Sequence, residues 1–228
     1  MNEYYRDEQK FWDSKGNIDY RSLSEFDQKR IAEWIDWKGH GRVLDVGGGS
    51  GMASRLLNHV PGVECVCVDI SYNMLIHSKT LAVQADALNL PFKDSCFDLV
   101  VAAAFFHHLP GQEKSLLSEI NRVLIPGGSI VGYDPSLLCL QNVIFMTDTV
   151  FRLRSFSPDE KPVDPKMLAK CTASTGFENF IYHLFSFKNS QLTFFEFIQR
   201  YLLSPIAKGP LAPLLERWFF WQATKKVV

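Results

Sequence analysis

The segment Val43-Leu44-Asp45-Val46-Gly47-Gly48-Gly49-Ser50-Gly51 constrains the fold most. Its first residues are apolar and partly β-branched, the pattern of a buried parallel strand. The run then passes into four glycines within five residues. Glycine admits φ > 0 and lets backbone approach a ligand closely. Ser50 is the expected N-cap of a helix over Ala53 to Asn58. A strand, a glycine turn and a helix in that order place a helix N-terminus at a strand's carboxyl end. In open α/β sheets small molecules bind there.

The glycine spacing narrows the ligand. A dinucleotide fingerprint reads G-x-G-x-x-G, whereas here the pattern is Asp45-x-Gly47-x-Gly49-x-Gly51. A carboxylate before the first glycine repels a pyrophosphate and tolerates a cationic amino-acid group. This counts against a nicotinamide oxidoreductase. The segment resembles the first motif of class I S-adenosylmethionine-dependent methyltransferases.

Further segments agree with that resemblance, in order. Val63 to Val68 is a second strand ending at Asp69, which lies 20 residues after Gly49, where a carboxylate accepts from two ribose hydroxyls. Leu81 to Gln84 is a third strand, followed by Asp86-Ala87-Leu88. Phe97 to Ala103 is a fourth, followed by Phe105-Phe106-His107-His108-Leu109. Leu124-Ile125-Pro126-Gly127-Gly128 turns into a fifth, Ser129 to Tyr133. The resemblance is close over roughly residues 30 to 135 and loose elsewhere. It implies a Rossmann-like, mostly parallel seven-stranded sheet of order 3-2-1-4-5-7-6. Strand 7 is antiparallel, and helices cover both faces.

The resemblance also implies S-adenosylmethionine as cofactor, with S-adenosylhomocysteine as product. Gly47 and Gly49 would approach its amino-acid end, with Asp45 acting from beneath the loop through a water or a backbone amide. Asp69 would hold the ribose. Ile70 and Met74 would flank the adenine, Asp86 would bind its amino group, and Ala87 and Leu88 would pack on the ring. Ala103 would offer a carbonyl to the ammonium. His107 and His108 follow the fourth strand and are candidate bases; lining the pocket without chemistry is the other reading. Asp134 is a candidate at the same rim or, alternatively, a turn acceptor before Pro135.

The 228 residues, 46% hydrophobic and 21% charged, suffice for one globular domain. A net charge of −1 gives no basic field for nucleic acid, so no nucleic-acid partner is expected. The five cysteines are odd in number and lack zinc spacing. All five are read as buried hydrophobes of a reducing, cytoplasmic compartment, and no metal is expected. The polar start reads as no signal peptide, and no run of 18 apolar residues occurs.

Residues 1–37 form an expected N-terminal helical segment that packs on the sheet edge or folds over the pocket. Residues 38–134 form the cofactor half. After them, Leu137 to Leu153 and Gln191 to Leu203 are helical by pattern, within insertions 135–163 and 188–217. The second insertion separates strand 6, Phe177 to Phe187, from strand 7, Trp218 to Thr224. Both helices are candidates for the acceptor side, for extra core, or for contact with a membrane face or lipid-linked substrate. Arg152 and Arg154 are candidate binders of an anionic acceptor group, or part of a solvated basic turn. The functional expectation is methyl transfer to a small molecule, at an oxygen of a sugar, lipid-linked or hydrophobic metabolite. A cofactor-binding module without catalysis is the alternative.

Overall fold

The computed structural model describes residues 3–15, 25–35, 41–143, 157, 159–185 and 212–227. Seven strands form one sheet of order β3-β2-β1-β4-β5-β7-β6. They are β1 (Gly41–Val46), β2 (Val63–Asp69), β3 (Leu81–Gln84), β4 (Phe97–Ala103), β5 (Leu124–Pro135), β6 (Phe177–Phe185) and β7 (Trp218–Lys225). Strands β1 to β5 pair in parallel, and β7 runs antiparallel to both β5 and β6. The order and direction match those implied by the sequence.

Alternation along the central strands divides the core in two. Leu44, Val46, Val100, Ala102 and Ile130 face α5 (Glu113–Val123) and α7 (Pro165–Ser174), where Leu116, Leu117, Ile120 and Leu168 are fully buried. Val43, Leu99, Val101 and Val131 face the other way, against Ile31 and Ile35 of α2 (Glu25–Ile35) and Ala53 and Leu57 of α3 (Met52–Leu57). Helices on both faces bury both sides of the parallel strands, which explains their near-continuous apolar sequence. The remaining helices are α1 (Glu3–Lys15), α4 (Tyr72–Leu75), α6 (Leu140–Asn142) and α8 (Ala212–Leu215).

Several local expectations change. Gly51, with φ 75°, is the N-cap of α3 and Ser50 is not; Ser50 is buried just before it. The left-handed turn that glycine permits sets where the helix starts, outweighing the capping preference of serine. β5 begins at Leu124, five residues before the expected Ser129. Phe97 pairs with Leu124 and Leu99 with Ser129, so the Pro126-Gly127-Gly128 turn is a bulge within the strand. Asp164 caps α7 by accepting from the Lys166 amide, and Gly176 follows the helix at φ 85°, as the sequence signals. Cys65, Cys67 and Cys139 are buried, but Cys96 and Cys171 are partly exposed. All five are free thiols. Of the expected helix 137–153, the described part is α6 at Leu140–Asn142. Residues 144–156, with Arg152 and Arg154, and the expected helix 191–203 lie outside the described residues.

Gly132 sits where β5 is pressed between β4 and β7. A Cβ there would lie 2.6 Å from the Ala102 carbonyl oxygen and 2.9 Å from the buried Trp221 ring. Neither can withdraw. Gly132→Ala is therefore expected to destabilise the chain by about 1–3 kcal/mol through overpacking, read as a lower urea midpoint at unchanged slope.

Candidate active site

Four strand ends converge on one cleft. The turn after β1 is held by Gly48, whose amide donates to the Val68 carbonyl at 3.1 Å. Gly47 adopts φ 63° and Gly49 φ 52°. At Gly47 the positive φ comes with a close approach, since a Cβ would fall 2.0 Å from the Phe105 ring. The next strand end supplies Asp69. Its Oδ2 accepts from the Gly49 amide at 2.9 Å and its Oδ1 from the Ser71 amide at 2.8 Å. Burial raises its pKa, and those two amides oppose the rise. Each oxygen keeps a further lone pair toward the cleft.

Asp45 lies beneath this turn, not in the cleft wall. It is fully buried, and its Oδ2 accepts from the Ser54 amide (2.9 Å) and hydroxyl (2.6 Å) at the start of α3. Among the described residues its Oδ1 has no hydrogen-bond partner. Burial pushes its pKa up to about 6, against the two Ser54 bonds. Its contact is thus with the loop's own helix, through an amide.

The cleft encloses about 670 Å³ of empty space, its mouth included. Gly47, Gly49, Asp69, Ile70, Met74, Asp86 and Ala87 line it, as the sequence pattern places them. Leu88 and Ala103 do not. Leu88 packs against the core, its amide donating to Asp86 Oδ1 at 2.9 Å. Ala103 packs against the opposite face, and the next residue, Ala104, reaches the wall. Ala104 takes φ 53°, an uncommon conformation for alanine.

Two residues of the wall come from α1. Glu8 and Trp12 line the cleft together with Phe105, His108 and Leu109. The N-terminal segment is therefore part of the pocket. Asp13 fixes α1 to α4, accepting from the Ser71 hydroxyl and from the Asn73 amide at 3.3 Å.

The two candidate bases have opposite environments. His107 is buried, and both its amide (3.2 Å) and its Nδ1 (3.0 Å) meet Asp134 Oδ1. Asp134 is fully buried and also accepts from Trp221 Nε1 at 3.3 Å. It does not line the wall; it accepts from the backbone of the turn after β4. Burial drives the His107 pKa down to about 3, helped by the neighbouring charge of His108, and raises Asp134 to about 7. His108 lines the cleft with Nδ1 3.0 Å from Glu8 Oε1 and 3.3 Å from Glu160 Oε1. Burial opposes its charge, but Glu160 and Glu8 outweigh burial and raise its pKa to about 10. A group protonated at neutral pH is no general base. Glu160, which also accepts from the Ser157 amide at 2.9 Å, carried no signal in the sequence beyond standing in a charged loop.

The methyltransferase-domain family model matches residues 44–132, the stretch carrying the turn, Asp69, Asp86 and both histidines. Over that stretch the chain is similar to the class I S-adenosylmethionine-dependent methyltransferases. It is 39% identical over 100 residues to a demethylmenaquinone methyltransferase of Thermus thermophilus, covering 40% of this chain and 45% of that one. It is 29% identical over 187 residues to a ubiquinone/menaquinone biosynthesis C-methyltransferase of Stutzerimonas stutzeri, covering 68% and 72%. A SAM-dependent methyltransferase structure from Archaeoglobus fulgidus superposes with a TM-score of 0.67 at 26% identity, covering 98% of this chain and all of that one. Among curated relatives, the match to the Thermus protein spans less than half that protein's length.

The cleft fits S-adenosylmethionine: a carboxylate faces a space that glycine keeps open. Gly47→Ala is expected to abolish S-adenosylhomocysteine binding in calorimetry, because its Cβ displaces Phe105 into the cleft. The pH dependence of the His108 contacts follows from their shifts. A histidine raised from 6.5 to about 10 adds stability fully present below pH 6.5 and lost as pH rises through 10. Glu8 and Glu160, lowered from 4.5, add stability present above pH 4.5 and lost as pH falls through their depressed values. The melting-temperature difference between the parent chain and His108→Gln should peak between pH 4.5 and 6.5 and shrink toward pH 10.

Proposed function

We propose that this chain transfers a methyl group from S-adenosylmethionine to a small hydrophobic acceptor bearing an acidic hydroxyl, a phenol or quinol being the type. The bound cofactor supplies a methyl already activated by its sulfonium. Gly47, Gly49, Asp69 and Asp86 are the residues that would hold it. The observation that carries the reading is the mixed lining of the cleft, in which Asp69 and Asp86 stand together with the apolar side chains of Trp12, Phe105 and Leu109.

The acceptor class follows from the histidines. His108 holds its proton up to about pH 10, and His107 is a weak base that does not line the cleft. Neither supports attack by an alcohol that must first lose a proton of high pKa. An acceptor whose hydroxyl ionises readily needs only to be positioned and kept from water, which can account for most of the acceleration in a displacement at an activated methyl. The relatives named for menaquinone and ubiquinone biosynthesis, one of them a C-methyltransferase, support a hydrophobic acceptor. A sugar hydroxyl is disfavoured on this argument. Among the described residues no helix is long and apolar enough to cross a membrane.

The test is transfer of radiolabelled methyl from S-adenosylmethionine into a source-cell lysate, followed by separation into organic, aqueous and protein fractions. Label in the organic phase is expected. Asp69→Ala should cut cofactor affinity roughly a hundredfold, the equivalent of about 3 kcal/mol for lost hydrogen bonds to a charged group. Label confined to the aqueous or protein fraction would overturn the acceptor class.

A further inference from the structure

We propose that Trp12 is the specificity-determining residue of the cleft, a fixed aromatic wall that selects a flat, unsaturated acceptor. The inference rests on the methyltransferase reading above and names the side chain that chooses among its acceptors.

The indole is pinned at two places. Its Nε1 donates to Glu8 Oε1 at 2.9 Å. Its ring meets that of His108 nearly at right angles, with 5.2 Å between centroids and 85° between planes. Glu8 Oε1 also lies 3.0 Å from His108 Nδ1, so Trp12, Glu8 and His108 close a triangle of contacts. The triangle is anchored to the sheet. The His108 ring packs 4.0 Å from that of His107, and His107 Nδ1 lies 3.0 Å from Asp134 Oδ1 near the end of β5. A ring held in this way is in place before the acceptor arrives, and binding pays little to order it.

The bond to Glu8 also decides what the ring shows. Indole has one polar atom, and it only donates. With that N–H given to Glu8, Trp12 presents hydrocarbon π surface to the cleft it lines. Another ring stacks offset on such a surface, or meets it edge-on, with centroids about 4.5–7 Å apart. A hydroxyl-rich acceptor finds no partner there and loses water without replacement. Glu8 and His108 line the cleft as well, but they are bonded to each other. Phe105 is the other large aromatic hydrocarbon of the wall. It lies against the glycine turn, where a Cβ on Gly47 would fall 2.0 Å from its ring. Phe105 is thus tied to the turn that holds the cofactor, whereas Trp12 comes from α1 and is tied to His108. That leaves Trp12 as the ring that reads the acceptor.

The test measures binding of 1-naphthol and of decahydro-1-naphthol to the full chain saturated with S-adenosylhomocysteine. The two probes share a carbon frame and a hydroxyl and differ in flatness. Calorimetry compares the parent chain with Trp12→Phe and Trp12→Leu. The parent is expected to prefer the flat probe roughly tenfold. Trp12→Phe stays flat but cannot donate to Glu8, and should keep most of that preference. Trp12→Leu stays apolar but is not flat, and should lose it. Both variants should bind S-adenosylhomocysteine as the parent does. A preference absent from the parent, or kept in Trp12→Leu, overturns the proposal. A preference lost equally in both variants overturns it too, because the N–H bond to Glu8 would then be what matters. A matching loss of S-adenosylhomocysteine affinity assigns Trp12 to the cofactor and overturns it as well. These outcomes leave the methyltransferase reading standing, which fails instead if the lysate yields no labelled organic-phase product. Should Trp12→Leu fail to fold, the Trp12 indole N–H resonance of the parent decides. A ring-current shift on adding 1-naphthol supports the proposal; an unmoved resonance overturns it.

Discussion

Asp69 accepts the Gly49 amide on one carboxylate oxygen and the Ser71 amide on the other. These two bonds fix the distance between the turn after β1 and the turn after β2. The glycine loop, the cleft wall beside it and the start of α4 are referred to one side chain. Asp45 performs the matching task underneath, tying the end of β1 to the start of α3 through Ser54. The two acids divide the work: one shapes the loop from inside the protein, and the other does so while facing the cleft. Both sit at the carboxyl ends of parallel strands, where the sheet cannot pair them away.

The sheet and the cofactor side of the site were legible because their signals are local. Gly47 and Gly49 must take positive φ, so the turn shows in the spacing of glycines. Asp69 ends an apolar strand and Asp86 stands just past one, so they stand out against their neighbours. Gly51 outranked Ser50 as a cap because serine's preference is a side-chain effect, while the left-handed backbone decides whether the helix can start at all.

The acceptor side was illegible for the opposite reason. Glu8 meets His108 across 100 residues, and Glu160 reaches the same nitrogen from a third segment. Each belongs to a charged stretch that reads as solvated surface. Nothing in Tyr5 to Lys10 marks Glu8 as buried. Nor does a His-His pair reveal that one ring is held neutral against Asp134 while its neighbour is charged. That difference arises from packing, since Asp134 lies within the sheet and the glutamates arrive from outside it. Ala104 is the same kind of case: its left-handed backbone is imposed by the wall it completes, with no glycine to announce it.

The attachment of α1 has a mechanical meaning. This helix supplies Glu8 and Trp12 to the cleft, and it is fastened by polar side-chain contacts: Glu8 to His108 at one point, Asp13 to Ser71 and Asn73 at another. None of these is a strand pairing, and the seven-stranded sheet is complete without it. The hydroxyl of Ser71 that holds Asp13 also accepts from the amide of Met74, which lines the cleft. Release of the helix frees that hydroxyl's hydrogen next to the Met74 wall. Loosening of the outer wall is thereby felt at the inner one through a single oxygen atom.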